Sequence, residues 1–165
     1  MHPNNFGHYL EAGLEQTPNR RLRELAAHGH PKIRARVGEN VKTPGILLSQ
    51  LAEDPAVEVR IAVAQNSAIT GPIRLKLLSD PDPNVRYAIA EDATVPLEIL
   101  QAMAEDEHPY VSHRANKTLE KLAEANRKND KKESTRERLL RWRDKATKDA
   151  FRKSGDKGAG FFGMG

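Results

Sequence analysis

The chain has 165 residues, 38% hydrophobic and 30% charged, with a formal net charge of +4; this allows one folded domain plus a tail and is not too polar to fold. It contains no cysteine, which excludes disulfides, thiolate metal sites, iron–sulfur clusters and cysteine nucleophiles and fits a reducing, cytoplasmic setting. No apolar run is long enough to span a bilayer, and Met1-His2-Pro3-Asn4-Asn5-Phe6 lacks the basic-then-apolar order of a secretory signal.

From the N-terminus, Phe6, Leu10 and Leu14 recur every four residues. They predict a capping helix within residues 1–16 that lies outside the periodic columns of the remaining body. Those columns step by 26 residues. Ile33, Val59, Val85 and Val111 form one; Val37, Val63, Ile89 and Ala115 another; Leu25, Leu51, Leu77 and Met103 a third. Pro18, Pro44, Thr70 and Pro96 keep the same step, as do Asn40, Asn66 and Asp92, and Asp54, Asp80 and Asp106. This periodicity predicts four units of two short helices. The first helix of a unit is expected to open at Asp54-Pro55 or Asp80-Pro81-Asp82-Pro83, with the aspartate as cap, and to stop near Asn40, Asn66 or Asp92. The second opens at Thr17-Pro18, Thr43-Pro44 or Val95-Pro96. Helices this short are marginal alone, so their apolar stripes must be buried by neighbouring units, the logic of a solenoid. Leu119 and Leu122 close the last unit, giving a solenoid domain over residues 1–125.

Residues 1–123 hold 14 Lys/Arg against 16 Asp/Glu, whereas residues 124–165 hold 13 against 7. The basic character therefore belongs to the tail. Asn126–Glu133 reads as a charge-rich hinge or frayed helix. Ser134-Thr135-Arg136-Glu137 reads as a capping box opening a separate amphipathic helix through residue 153, with Leu139, Leu140, Trp142, Ala146, Ala150 and Phe151 as its apolar set. Residues 154–165 read as a disordered Gly/Phe tail, in which Phe161 and Phe162 form a docking peptide or have no role.

The pattern Asp-Pro-x-x-x-Val-Arg-x-Ala-Val-Ala-x-Asn at Asp54–Asn66, with Thr-Pro-x-x-x-Leu-x-x-Leu-Ala at Thr43–Ala52, resembles the leucine-rich repeat variant, a HEAT-like α-solenoid family of bacterial type. The resemblance covers residues 17–123. It implies alternating α and short 3₁₀ helices in a right-handed superhelix. The founding member's iron–sulfur module does not carry over, because its cysteines are absent. The fold leaves the function open.

The column Arg34, Arg60, Arg86, lost at Ser112, has two readings. Equivalent residues of stacked units lie about 10 Å apart, a ladder that suits phosphates or carboxylates of a partner; alternatively each arginine bridges to Asp54, Asp80 or Asp106 of an adjoining unit. The bridge is the stronger reading. Columns that vary are where a repeat protein writes specificity, or where its surface drifts. Ala35, Ile61, Tyr87 and His113 form one, Lys32, Glu58, Asn84 and Tyr110 another, and Arg36, Ala62, Ala88 and Arg114 a third. Arg74 stands where Leu48 and Leu100 stand, which implies a rotated helix or a charged groove.

His28, His30, His108 and His113 do not read as one metal site, and no zinc-enzyme pairing of histidines is present. There is no nucleophile elbow, phosphate loop or aromatic-lined cleft for a flipped base. No catalytic residue, metal or cofactor is therefore expected. The expected function is a non-enzymatic scaffold or adaptor whose first partner is a protein. The alternative is a nucleic-acid-binding protein using the arginine ladder and the basic tail. Candidate contacts are Arg34, Arg60, Arg86, Tyr87 and Tyr110 on the body, and Arg138, Arg141, Trp142, Lys145, Phe161 and Phe162 on the tail. The oligomeric state is left open.

Overall fold

The computed structural model describes residues 3–155, and all of its regular structure is helical. The helices are α1 (Pro3–Ala12), α2 (Asn19–Ala26), α3 (Pro31–Glu39), α4 (Gly45–Leu51), α5 (Val57–Ala64), α6 (Gly71–Leu78), α7 (Pro83–Glu91), α8 (Leu97–Met103) and α9 (Pro109–Gly155). Phe161 and Phe162, and the side chains of Ala146, Ala150 and Phe151, lie outside the described residues. The chain divides into two units, Met1–Glu120 and Lys121–Gly165. Among the described residues no helix is long and apolar enough to cross a membrane.

In the first unit α3 packs on α1 and α5, and α5 on α7, while α2, α4 and α6 lie against the odd-numbered helices. The periodic columns form the core. Ile33, Val59, Val85 and Val111 are fully buried, as are Val37, Val63, Ile89 and Ala115. Leu25, Leu51, Leu77 and Met103 are buried from the even-numbered helices. A small-residue column, Gly38 and Ala64, lets the odd helices approach closely: a Cβ at Gly38 would stand 3.3 Å from Ala62 Cβ and Val63 Cγ2.

Two hydrogen-bond series recur at constant sequence offset. Asn40 donates its amide to the carbonyls of Ala12 and Leu14, and Asn66 donates to those of Gly38 and Asn40. The Thr17 hydroxyl donates to the Glu11 carbonyl, as Thr43 does to Val37. α1 is therefore held on α3 by the same bonds that hold α3 on α5, and Ala12 belongs to the Gly38 column. The N-terminal helix is thus in phase with α3 and α5, contrary to the expectation for residues 1–16. Its inward face is His8, Tyr9 and Ala12, and Phe6, Leu10 and Leu14 are exposed. An apolar four-step does not by itself say which side of a helix is buried.

Other boundaries also move. α5 and α7 each open three residues after Asp54 and Asp80, because the extended Ala56 and the proline at Pro83 set the helix starts. Asp54, Asp80 and Asp106 do not cap helices. They accept from the backbone N–H two residues on, at Ala56, Asp82 and His108, closing turns. Caps come from His30, which accepts from Lys32 N–H, and Asp82, which accepts from Asn84 N–H. The even-numbered helices are α, not the 3₁₀ helices that the family resemblance implies.

The second unit is the greater part of α9. No break occurs over 126–133, so there is no separate C-terminal helix. Between Tyr110 and Ser154 there is no Gly or Pro, and lysine, glutamate and arginine are good helix formers whatever their charge. Ser134 and Thr135 do not cap. Their hydroxyls donate back to the Lys131 carbonyl, the usual bond of such residues inside a helix.

Candidate partner-binding site

The arginine column is built into the body. Arg34 places Nε and Nη2 on the two carboxylate oxygens of Asp54 at 2.7 and 2.8 Å, while Nη1 donates to the His28 and Gly29 carbonyls. Arg60 repeats this on Asp80 with the Asp54 and Pro55 carbonyls, and Arg86 on Asp106 with those of Asp80 and Pro81. Each aspartate thus takes one arginine on its side chain, and Asp54 and Asp80 give their carbonyls to the next. The bidentate fork suits guanidinium and not ammonium. A phosphate reaching these arginines would have to displace a carboxylate. The bridging reading is the one the geometry shows.

The charge states follow from the pairing. Burial pushes the Asp54 carboxyl up, but the Arg34 fork, the Ala56 N–H and the Arg60 charge together hold it below its ordinary value. Asp80 is held down in the same way by Arg60, the Asp82 N–H and Arg86. At Asp106 the Arg86 fork dominates, again lowering it. The arginines are correspondingly raised by the hydrogen bonds to their aspartates.

Tyr87 and Tyr110, which come from different varied columns, meet at one place. With Pro83, Asn84 and His108 they line a cavity of about 300 Å³. Tyr110, on the first turn of α9, is 74% exposed. Its ring lies 5.6 Å from the His108 ring, tilted by 31°. Tyr87, on α7, is backed by Arg114 at 5.8 Å from the ring centroid, and Arg114 is anchored to Glu91 at 2.8 Å. The Tyr87 ring is thereby held in place without Arg114 lining the cavity. The lining holds no carboxylate, lysine or arginine. In the sequence His108 stands out only as a candidate ligand, and Pro83 only as a helix start. The signal for the cavity is the join of the Asn84/Tyr110 column to the Tyr87 column one turn away.

The same stacking occurs at the N-terminal end. Arg36 lies 5.5 Å from the Tyr9 centroid and is paired with Glu39. His8 and His28 pack edge to face at 5.3 Å, and His28 accepts from the His30 N–H. Among the described residues no group of histidines and carboxylates is arranged to hold a metal ion.

On α9, Arg138, Arg141, Trp142 and Lys145 are all exposed, as are Leu139 and Leu140. Arg141 makes a loose pair with Glu137 at 3.6 Å. No family model, curated protein or solved structure matches this chain.

Proposed function

We propose that residues 1–120 are a short α-solenoid of the leucine-rich-repeat-variant kind, and that the protein is a non-enzymatic adaptor that binds an extended peptide segment of a partner at the Tyr87–Tyr110 cavity. The observation that carries this is Tyr110, a large aromatic left in solvent beside a second, braced aromatic. Offset 26-residue columns and hydrogen bonds at constant offset support the solenoid reading. Two tyrosine rings and Pro83 around a notch that holds no carboxylate, lysine or arginine suit a polyproline-like stretch, whose rigid form costs little entropy to bind. Tyrosines add contact area and a hydroxyl at low entropic cost. The cysteine-free composition supports a cytoplasmic setting.

The test is an array of proline-containing octapeptides probed with the full chain and with Tyr110→Ala and Tyr87→Ala. Bound peptides should lose about tenfold or more in affinity to each variant, in keeping with aromatic hot spots. Replacing their prolines by alanine should also abolish binding. Peptides that bind equally well to both variants would remove the cavity from the reading.

A further inference from the structure

The exposed part of α9 carries a second pattern. Arg127, Lys131, Arg138, Arg141, Lys145 and Lys148 succeed one another in steps of four and three, with Ser134 filling the one gap. At 100° per residue this spacing keeps all of them on one side of the helix. All six cations are exposed. They form a ridge about 32 Å long with a charge roughly every turn. Glu133, Glu137 and Asp144 fall together along one flank of the ridge, and Asp130 stands on its edge, in line with Lys148. Trp142 falls on the other flank, within a turn of Arg138 and Lys145, and is 70% exposed. The Glu137–Arg141 pair is solvent-exposed and weak.

We infer that this ridge binds single-stranded nucleic acid, its cations following the phosphodiester backbone while Trp142 stacks on a base. A row of evenly spaced cations bordered by one exposed aromatic is what a sequence-tolerant single-strand site requires. A duplex would not offer Trp142 an unstacked base. An anionic membrane fits less well, because the side of the helix opposite the ridge is broken by Lys132, Arg136 and Arg143 between the apolar residues. This inference uses none of the residues of the tyrosine cavity.

Trp142 is the one tryptophan in the chain, so its fluorescence reports on this site alone. The full chain is titrated with oligo-dU and oligo-rU of equal length, with a DNA duplex, with polyglutamate and with phosphatidylserine vesicles. Both or either single strand should quench Trp142, and the stronger identifies the preferred sugar. Binding should weaken about 300-fold between 50 and 200 mM salt if six phosphates are neutralised. In the Arg138→Gln/Arg141→Gln/Lys145→Gln variant the same change should cost only about 20-fold. Followed by anisotropy of a labelled oligonucleotide, Trp142→Ala should bind about tenfold more weakly with the salt slope retained, and Trp142→Phe should keep most of the affinity. Tyr110→Ala should titrate like the native chain, which separates this result from the fate of the peptide site. Absence of quenching by both single strands at 50 mM salt overturns the inference. So does quenching of equal strength by polyglutamate or by vesicles, and so does duplex binding that is indifferent to Trp142→Ala.

Discussion

Arg74 on α6 donates from Nη2 to the Asp92 carboxylate at 3.1 Å, where the preceding pair of positions holds Leu48 and Asn66. Leu48 is fully buried and Asn66 donates its amide to two carbonyls. At Asp92 there is no amide to donate, and at position 74 a charge replaces an apolar side chain. The two departures answer each other: the Arg74 side chain is only 15% exposed and that of Asp92 28%. The helix is neither rotated nor lined by an open charged groove.

A double-mutant cycle should show this coupling. Arg74→Leu alone leaves a shielded carboxylate without its cation, and Asp92→Asn alone leaves a shielded guanidinium without its anion; each should cost about 1–2 kcal/mol. The double variant restores the Leu/Asn arrangement and should be at least as stable as the native chain, because well-packed apolar replacements of buried pairs are often neutral or better. Urea unfolding of the four proteins measures it. Additive losses would show that the two positions are independent.

Arg60→Ala removes the cation from Asp80, whose side chain is 5% exposed, and should cost about 3 kcal/mol. Arg60→Lys keeps the charge but loses the fork and the carbonyl bonds, so it should recover only part of that loss. Full recovery by lysine, read from thermal or urea melts, would mean that charge alone matters there.

Acid should loosen the same ties. Asp54, Asp80 and Asp106 have native values held below the ordinary one. Their contribution is complete above the unfolded value of about 3.9 and is lost as pH falls through the lowered native values. Stability should therefore hold from neutrality to about pH 4 on their account and fall below it. Asp80→Asn should lower stability at pH 7 and flatten that acid limb, as followed by urea midpoints at stepped pH.

His28 acts in a higher window. Burial first, then the charges of His8, His30, Arg34 and Arg21, lower its value. The native state resists a proton that the unfolded chain accepts near pH 6.5, so stability should decline as pH falls from about 7 through that value. His28→Asn keeps an acceptor for the His30 N–H and cannot be protonated. Urea midpoints at pH 7.5 and 5.5 should differ less in that variant than in the native chain.

Much of the helical organisation was legible in the sequence because burial there is set by column. Ile33, Val59, Val85 and Val111 share one environment and so share one residue type. The Arg34–Asp54 tie was legible for the same reason, since both columns step together. The phase of α1 was not, because Tyr9 and Ala12 carry it while the more conspicuous Phe6, Leu10 and Leu14 face outward. The continuity of α9 was hidden by charge. Asn126–Glu133 is polar, but polarity does not end a helix in the absence of Gly, Pro or a competing cap. The tyrosine cavity needed the fold itself, because Tyr87 and Tyr110 are 23 residues apart and meet only when α7 and the start of α9 are placed side by side.

The ties through Arg34, Arg60 and Arg86 are addressed by offset and not by individual identity: each arginine reaches 20 residues ahead and six back. A copied block of 26 residues spliced in after Asn66 would preserve these offsets, leaving each arginine an aspartate 20 residues ahead and a carbonyl six behind. The segment holding Arg74 and Asp92 is the one that cannot be dealt out freely, since both members of that swap have to travel together.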